Sequence, residues 1–186
     1  MLLMTACGGL RVLPSDSGNG NSADTTATAT EGSSALRDMI AADLDENEVK
    51  LGDVFSANKV TLINYWGTFC GPCISEMPDL AKVAHKYSDR GFGIIGLTCD
   101  IADPSTGAFD RGNIKAAKDI AEATGADYPI LIATKQINGS IQTNVVPISF
   151  FVDENGDQIG GVITGSRPYE EWDRIISEVL SDAGQP

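Results

Sequence analysis

Trp66-Gly67-Thr68-Phe69-Cys70-Gly71-Pro72-Cys73 is the stretch that decides how this chain is read. It follows an apolar, β-prone run, Val60 to Tyr65, and precedes a segment of helical periodicity, Ile74 to Tyr87. Two cysteines separated by two residues at a strand-to-helix junction form a dithiol that can close into a disulfide with little backbone movement. The first of them falls at the helix N-terminus, where unpaired N–H groups and the macrodipole favour an anion.

Working outward, Val60 to Tyr65 lacks the alternation of a half-exposed strand and predicts a central strand buried on both faces. Beyond the dithiol, Ile74, Met77, Leu80, Ala81, Ala84 and Tyr87 recur at helical spacing, with a stop near Gly91 and a kink expected at Pro78. Phe92 to Cys99 predicts a second buried strand, so the order is β-α-β with a parallel crossover. Asp100 to Gly112 reads as a loop solvated by Asp100, Asp103 and Asp110. Asn113 to Thr124 reads as a helix capped by Asn113 and stopped by Gly125. Tyr128 to Ala133 is β-prone, and the segment onward to Asn144 fits no one element. Ile148 to Asp153 and Gln158 to Ile163 bracket Glu154-Asn155-Gly156-Asp157, whose Asn-Gly pair predicts an antiparallel hairpin. Pro168 to Leu180 predicts a last helix, with Pro168 near its first position and Trp172, Ile175, Ile176 and Val179 on one face.

Upstream of the dithiol, Ala41 to Leu44 and Glu48 to Leu51 flank Asp45-Glu46-Asn47 as a small acidic hairpin. Ala35 to Ala42 reads equally as a short helix or an extended lead-in. The run Asp43-x-Asp45-x-Asn47 invites a calcium loop, but Glu48 and Val54 stand where that loop needs Gly and Glu. From Pro14 to Ser34 the sequence is small and polar and reads as a flexible tether. Met1 to Ala6 is apolar, and Thr5-Ala6-Cys7 resembles the end of a bacterial lipoprotein signal, which implies a lipidated Cys7. The expected organisation is therefore a signal remnant at 1–7, a tether at 8–34 and one folded domain at 35–186.

The 186 residues carry a formal net charge of −13, which argues against a nucleic-acid partner because phosphate binding needs clustered Lys and Arg. With His85 as the sole histidine, multi-histidine metal centres are excluded, and any Ser-His or Cys-His catalysis would have to use that one residue. Four cysteines, Cys7, Cys70, Cys73 and Cys99, are too few for a disulfide scaffold and are spaced for chemistry.

The element order, with Cys-Gly-Pro-Cys at the end of the first central strand, resembles the thioredoxin fold, and more closely the TlpA/ResA-type thiol-disulfide oxidoreductases. Four features carry the resemblance: Asn64 through Cys73, Ser75-Glu76-Met77-Pro78, Val146-Pro147 before a strand, and the acidic hairpin. It covers roughly Ala41 to the C-terminus and implies an α/β fold with a mixed central sheet flanked by helices and an N-terminal hairpin extension. It implies that Cys70 is the exposed nucleophile and Cys73 the buried resolving cysteine. Pro147 matches a cis-proline facing the dithiol, and Val146, Gly71 and Pro72 match the surface that receives the partner chain; Trp66, from its place beside the dithiol, reads as part of that rim, with pure core as the alternative. Asn64 stands where thioredoxin itself has a buried aspartate, and Glu76 matches a glutamate near the dithiol that would take the proton of Cys73. From the residues themselves, Glu76 reads equally as an exposed acid at a helix N-terminus. Phe69 stands where tryptophan is usual.

No cofactor or metal is implied beyond the redox-active disulfide. The resemblance also implies a membrane-anchored, extracytoplasmic address, protein thiols and disulfides as partners, and a membrane electron donor; the direction expected is reduction of protein disulfides. A peroxidatic redoxin would carry its cysteine in a Thr-x-x-Cys context, which Cys70 lacks. A copper chaperone would space its cysteines by three and add a later histidine. Cys99, ending a buried strand, reads as a core thiol, and His85 as solvated surface.

Overall fold

A computed structural model describes residues 36–183. Cys7 and the tether at 8–34 lie outside the described residues. The elements are β1 (Ile40–Asp43), β2 (Glu48–Lys50), α1 (Leu51–Ser56), β3 (Val60–Trp66), α2 (Gly71–Tyr87), a short 3-10 turn (Ser88–Arg90), β4 (Phe92–Thr98), α3 (Arg111–Thr124), β5 (Ile130–Ile132), α4 (Lys135–Ser140), β6 (Ile148–Asp153), β7 (Gln158–Thr164) and α5 (Tyr169–Asp182).

One mixed sheet runs β2-β1-β5-β4-β3-β6-β7. Every residue of β3 is buried, as its unbroken apolar character predicts. It pairs in parallel with β4, Val60 against Phe92 through Trp66 against Thr98, and antiparallel with β6, Tyr65 against Ile148. The N-terminal hairpin forms as expected and extends the sheet by pairing β1 antiparallel to β5. Its turn is held by Asp43, whose carboxylate accepts from the N–H groups of Asp45 and Asn47 and from Asn47 Nδ2.

The sheet separates two apolar layers. On one side Leu62 and Trp66 pack with Met77 and Leu80 of α2, Ile114 of α3, and Trp172 and Ile176 of α5. On the other, Ile63 and Tyr65 pack with Leu51 and Phe55 of α1 and Ile137 of α4. Alternation along a strand sends successive side chains to opposite faces. Asn64 therefore shares the α2 face with Trp66.

Several boundaries differ from the sequence reading. The α2 helix begins at Gly71 and continues unbroken through Pro78. The α3 cap is Asp110, not Asn113: its carboxylate accepts from the N–H groups of Gly112 and Asn113, and a short acidic side chain ahead of the first turn serves those orphan donors better. Asn113 instead donates from Nδ2 to the carbonyl of Asp100. Pro168 is the residue before α5, in extended conformation, and the helix starts at Tyr169. Leu36 and Arg37 make a brief helical turn before the chain extends into β1, so the lead-in takes both forms. The undecided segment after β5 contains α4.

Candidate active site

The C-terminal ends of β3 and β4 and the start of β6 meet at one end of the sheet, and the dithiol loop leaves from there. After Trp66 the chain turns tightly, Cys70 N–H donating to the Gly67 carbonyl at 3.0 Å. The backbone N–H of Thr68 donates to both oxygens of Asp100, at 3.2 and 3.1 Å, and the Thr68 hydroxyl donates to Oδ2. Asp100 is thus not a solvating loop residue; it ties the loop after β4 to the dithiol loop. Asp103 likewise gathers the N–H and hydroxyl groups of Ser105 and Thr106 into a turn.

Cys70 and Cys73 are joined as a disulfide with their Cα atoms 5.3 Å apart. Cys70 is the residue before α2, and its sulfur accepts from the Cys73 N–H at 3.2 Å. Gly71 and Pro72 are exposed in the first turn, where a proline costs the helix no hydrogen bond. The expected asymmetry of the pair is smaller than its exposed-and-buried description. In the disulfide form Cys70 is 6% exposed and Cys73 0%.

Trp66 departs from expectation. It is fully buried and does not reach the docking rim, because strand alternation directs it into the α2 face beside Gly96, where an added Cβ would lie 3.1 Å from its indole nitrogen. The exposed aromatic is Phe69, 71% accessible. Its ring lies over Gly67, where a Cβ would come within 2.6 Å of Cε1, so a side chain at Gly67 would displace the ring. Val145, 45% exposed, is the other large apolar side chain near this end of the sheet. The Val146–Pro147 peptide bond is cis, as the resemblance implied, and the Tyr65–Ile148 register brings both residues to the dithiol end of the sheet.

Below the disulfide lies a buried polar cluster. Glu76, one turn after Cys73, is 2% exposed and not a surface acid. Its Oε1 accepts from Asn64 Nδ2 at 3.0 Å; Oε2 accepts from the Arg167 N–H at 3.0 Å and the Trp172 indole at 3.3 Å. Asn64 Nδ2 also donates to Ser149 Oγ at 3.0 Å. Burial pushes the Glu76 carboxyl above its ordinary range, opposed by those three donors and the Arg167 charge. Asn64 Oδ1, Trp66 Nε1 and the Tyr128 hydroxyl are buried without a hydrogen-bond partner among the described residues.

Cys99 is free and half-buried, its thiol pushed up to about 11 by burial and the neighbouring Asp100 charge. It packs against the sheet face opposite α2, away from the Glu76 cluster, as a core thiol does. His85 is exposed beside Asp127. Ser149, Trp172, Arg167, Thr68 and Asp100 were not legible as site residues, since each joins the dithiol region through contacts distant in sequence. Phe69 carried a signal, as an aromatic directly before the first cysteine.

A family model described as Redoxin matches residues 21–174. The chain belongs to the Redoxin family. Among its relatives, thiol-disulfide oxidoreductase ResA of Bacillus thuringiensis (strain Al Hakam) is 28% identical over 142 residues, 76% of this chain and 74% of its own. The ResA of Geobacillus kaustophilus (strain HTA426) is 27% identical over 156 residues, 83% and 82% of the two chains. A solved thiol:disulfide interchange protein of the thioredoxin family from Chlorobium tepidum TLS superposes with a TM-score of 0.59 at 27% identity, covering 76% of this chain and 92% of that one. This Redoxin member is of the ResA/TlpA type, with a thioredoxin-like fold. It is an oxidoreductase whose working group is the Cys70–Cys73 thiol-disulfide pair.

Proposed function

We propose that the protein reduces disulfides of extracytoplasmic proteins while anchored to the cell membrane through a lipidated Cys7. One observation carries the reading: a closed Cys70–Cys73 pair sits at a helix N-terminus above a buried carboxylate. The lipoprotein-like Thr5-Ala6-Cys7 and the tether-like sequence at 8–34 support the address. Cys70, Cys73 and Glu76 are the reacting groups; Gly71, Pro72, Val146 and Pro147, joined by Phe69, receive the partner chain; Asn64 supports Glu76.

In the reduced protein the Cys70 thiolate attacks one sulfur of the partner disulfide, forming a mixed disulfide and releasing the partner's other sulfur as thiolate. Cys73 then gives its proton to Glu76, and its sulfur attacks Cys70 Sγ. The partner leaves as its second thiolate, its two sulfurs take protons from solvent, Glu76 returns the Cys73 proton to solvent, and the protein keeps the disulfide. A membrane donor of two electrons and two protons restores the dithiol.

The Cys73 N–H that reaches Cys70 Sγ stabilises the attacking thiolate, as does the helix terminus, together by about 1 to 2 kcal/mol. Because nucleophilicity falls with basicity, that gain is worth only about threefold in rate. Most of the acceleration must come from holding the partner against Phe69 and Val146 and from the proximity of Cys73.

Intact-mass measurement of the membrane fraction tests the address. A diacylated or triacylated chain beginning at Cys7 is expected, and an uncleaved, unmodified chain contradicts it. For the direction, the reduced protein is expected to reduce a disulfide-bonded protein stoichiometrically, with Cys73→Ser trapping the mixed disulfide at Cys70. Net oxidation of partner thiols by the disulfide form would contradict it.

A further inference from the structure

The two oxygens of Glu76 are not equivalent. Oε2 faces the Arg167 N–H and the Trp172 indole N–H, which donate and cannot accept. A hydrogen on Oε2 would point at hydrogens, so the acid form carries its proton on Oε1. There the neighbour is Asn64 Nδ2, also a donor. The other end of the same amide, Oδ1, is buried with no partner among the described residues, while Nδ2 serves both Glu76 and Ser149.

We propose that Asn64 and Ser149 are positioning residues for the proton of Glu76: when Oε1 is protonated the Asn64 amide turns end for end, and Oδ1 accepts from Glu76 and from the Ser149 hydroxyl. The inference rests on the reading of Glu76 as the group that takes the proton of Cys73. The S–H bond of Cys73 breaks, the O–H bond at Oε1 forms, and no electron moves in this step. Ser149 suits the reversal because a hydroxyl accepts from an amide N–H in one state and donates to an amide oxygen in the other. A fixed donor in place of Asn64 would leave the buried acid without an acceptor, and a fixed donor in place of Ser149 would oppose Asn64 Nδ2 in the carboxylate state.

The other groups around Glu76 do not supply that acceptor. Arg167, preceding α5, is a cation whose guanidinium pairs with Glu171 at 2.7 Å. Trp172 on α5 only donates. Tyr128, before β5, is a buried phenol that feels the charge of Glu76 but makes no hydrogen bond to it among the described residues. Cys73 on α2 is the proton source. The neutral amide and hydroxyl on β3 and β6 are the pair able to reverse.

Glu76→Gln in the full chain tests this, because its carboxamide oxygen must face Arg167 N–H and Trp172, which places its NH2 where Oε1 was. In wild-type protein at neutral pH or above, NMR cross-peaks are expected from the Asn64 side-chain amide protons to the γ-protons of residue 76 and the β-protons of Ser149. They are expected to be lost in Glu76→Gln and in wild-type protein titrated to the acid form, and the titration alone gives the readout if the variant does not fold. Cross-peaks that persist in both overturn the proposal. Ser149→Thr, which keeps the hydroxyl, is expected to preserve the reversal. The proton-acceptor reading fails separately: Glu76→Gln would then leave the rate and pH profile of mixed-disulfide resolution unchanged, whatever Asn64 does.

Discussion

Glu76 concentrates the residue-scale consequences. Its folded-state carboxyl is raised by burial, so the folded protein holds that proton more tightly than the unfolded chain. Stability therefore falls as pH rises from the ordinary carboxylate range through the folded value. Urea unfolding across a pH series should show the wild-type protein losing stability relative to Glu76→Gln over that window; parallel curves would contradict it. Asp173 has the opposite sign. It is lowered chiefly by Lys86, so its contribution is present above the ordinary range and is lost as pH falls through its folded value. At Cys99, a thiol raised to about 11 is almost fully protonated at neutral pH. Alkylation of the reduced protein near pH 7 should label Cys70 quickly and leave Cys99 unlabelled by mass spectrometry. Phe69→Ala, which removes an exposed ring, should raise KM for a protein disulfide by about tenfold, of the order of one interface anchor, while leaving turnover of a small aromatic disulfide unchanged.

At the scale of elements, periodicity and turn chemistry carried most of the information. The β3 and β4 strands were legible because both faces are apolar, and the β6–β7 hairpin because Asn155-Gly156 permits its turn, Gly156 standing at φ 83°. A Cβ there would also meet Arg37 and Phe55 at 3.1 Å. Gly156→Ala should cost about 1 to 3 kcal/mol in chemical denaturation. The α3 start was misread because several polar residues in a row can each cap a helix, and the chain's approach decides which one does. Asp110→Ala should cost about 1 kcal/mol, and Asn113→Ala should leave the α3 cap intact. The β5 strand was legible inside the β-prone run Tyr128 to Ala133, whereas α4 gave little signal, since a helical turn and a half is too brief for a period to show.

For the whole molecule, the dithiol was legible as chemistry from the residues alone, whereas Asn64, Glu76 and Pro147 were placed beside it only by the resemblance. Cys-Gly-Pro-Cys at a strand-to-helix junction points to thiol-disulfide exchange in the sequence itself. The Asn64–Glu76–Ser149 cluster joins residues 12 and 85 positions apart, a distance no local pattern spans. Trp66 was misplaced for a related reason, because motif proximity suggests the rim while strand alternation sends the side chain inward. The proposed reading is of an electron carrier that meets its partners outside the cytoplasm. Its central claim is that Cys70–Cys73 exchanges electrons with protein disulfides in the reducing direction. The most direct test equilibrates the protein with defined glutathione couples and counts Cys70 and Cys73 thiols by acid-trapped alkylation. A two-electron transition nearer to thioredoxin's about −270 mV is predicted. A transition near the strongly oxidising value of about −120 mV, or a pair that does not equilibrate at all, would contradict the account.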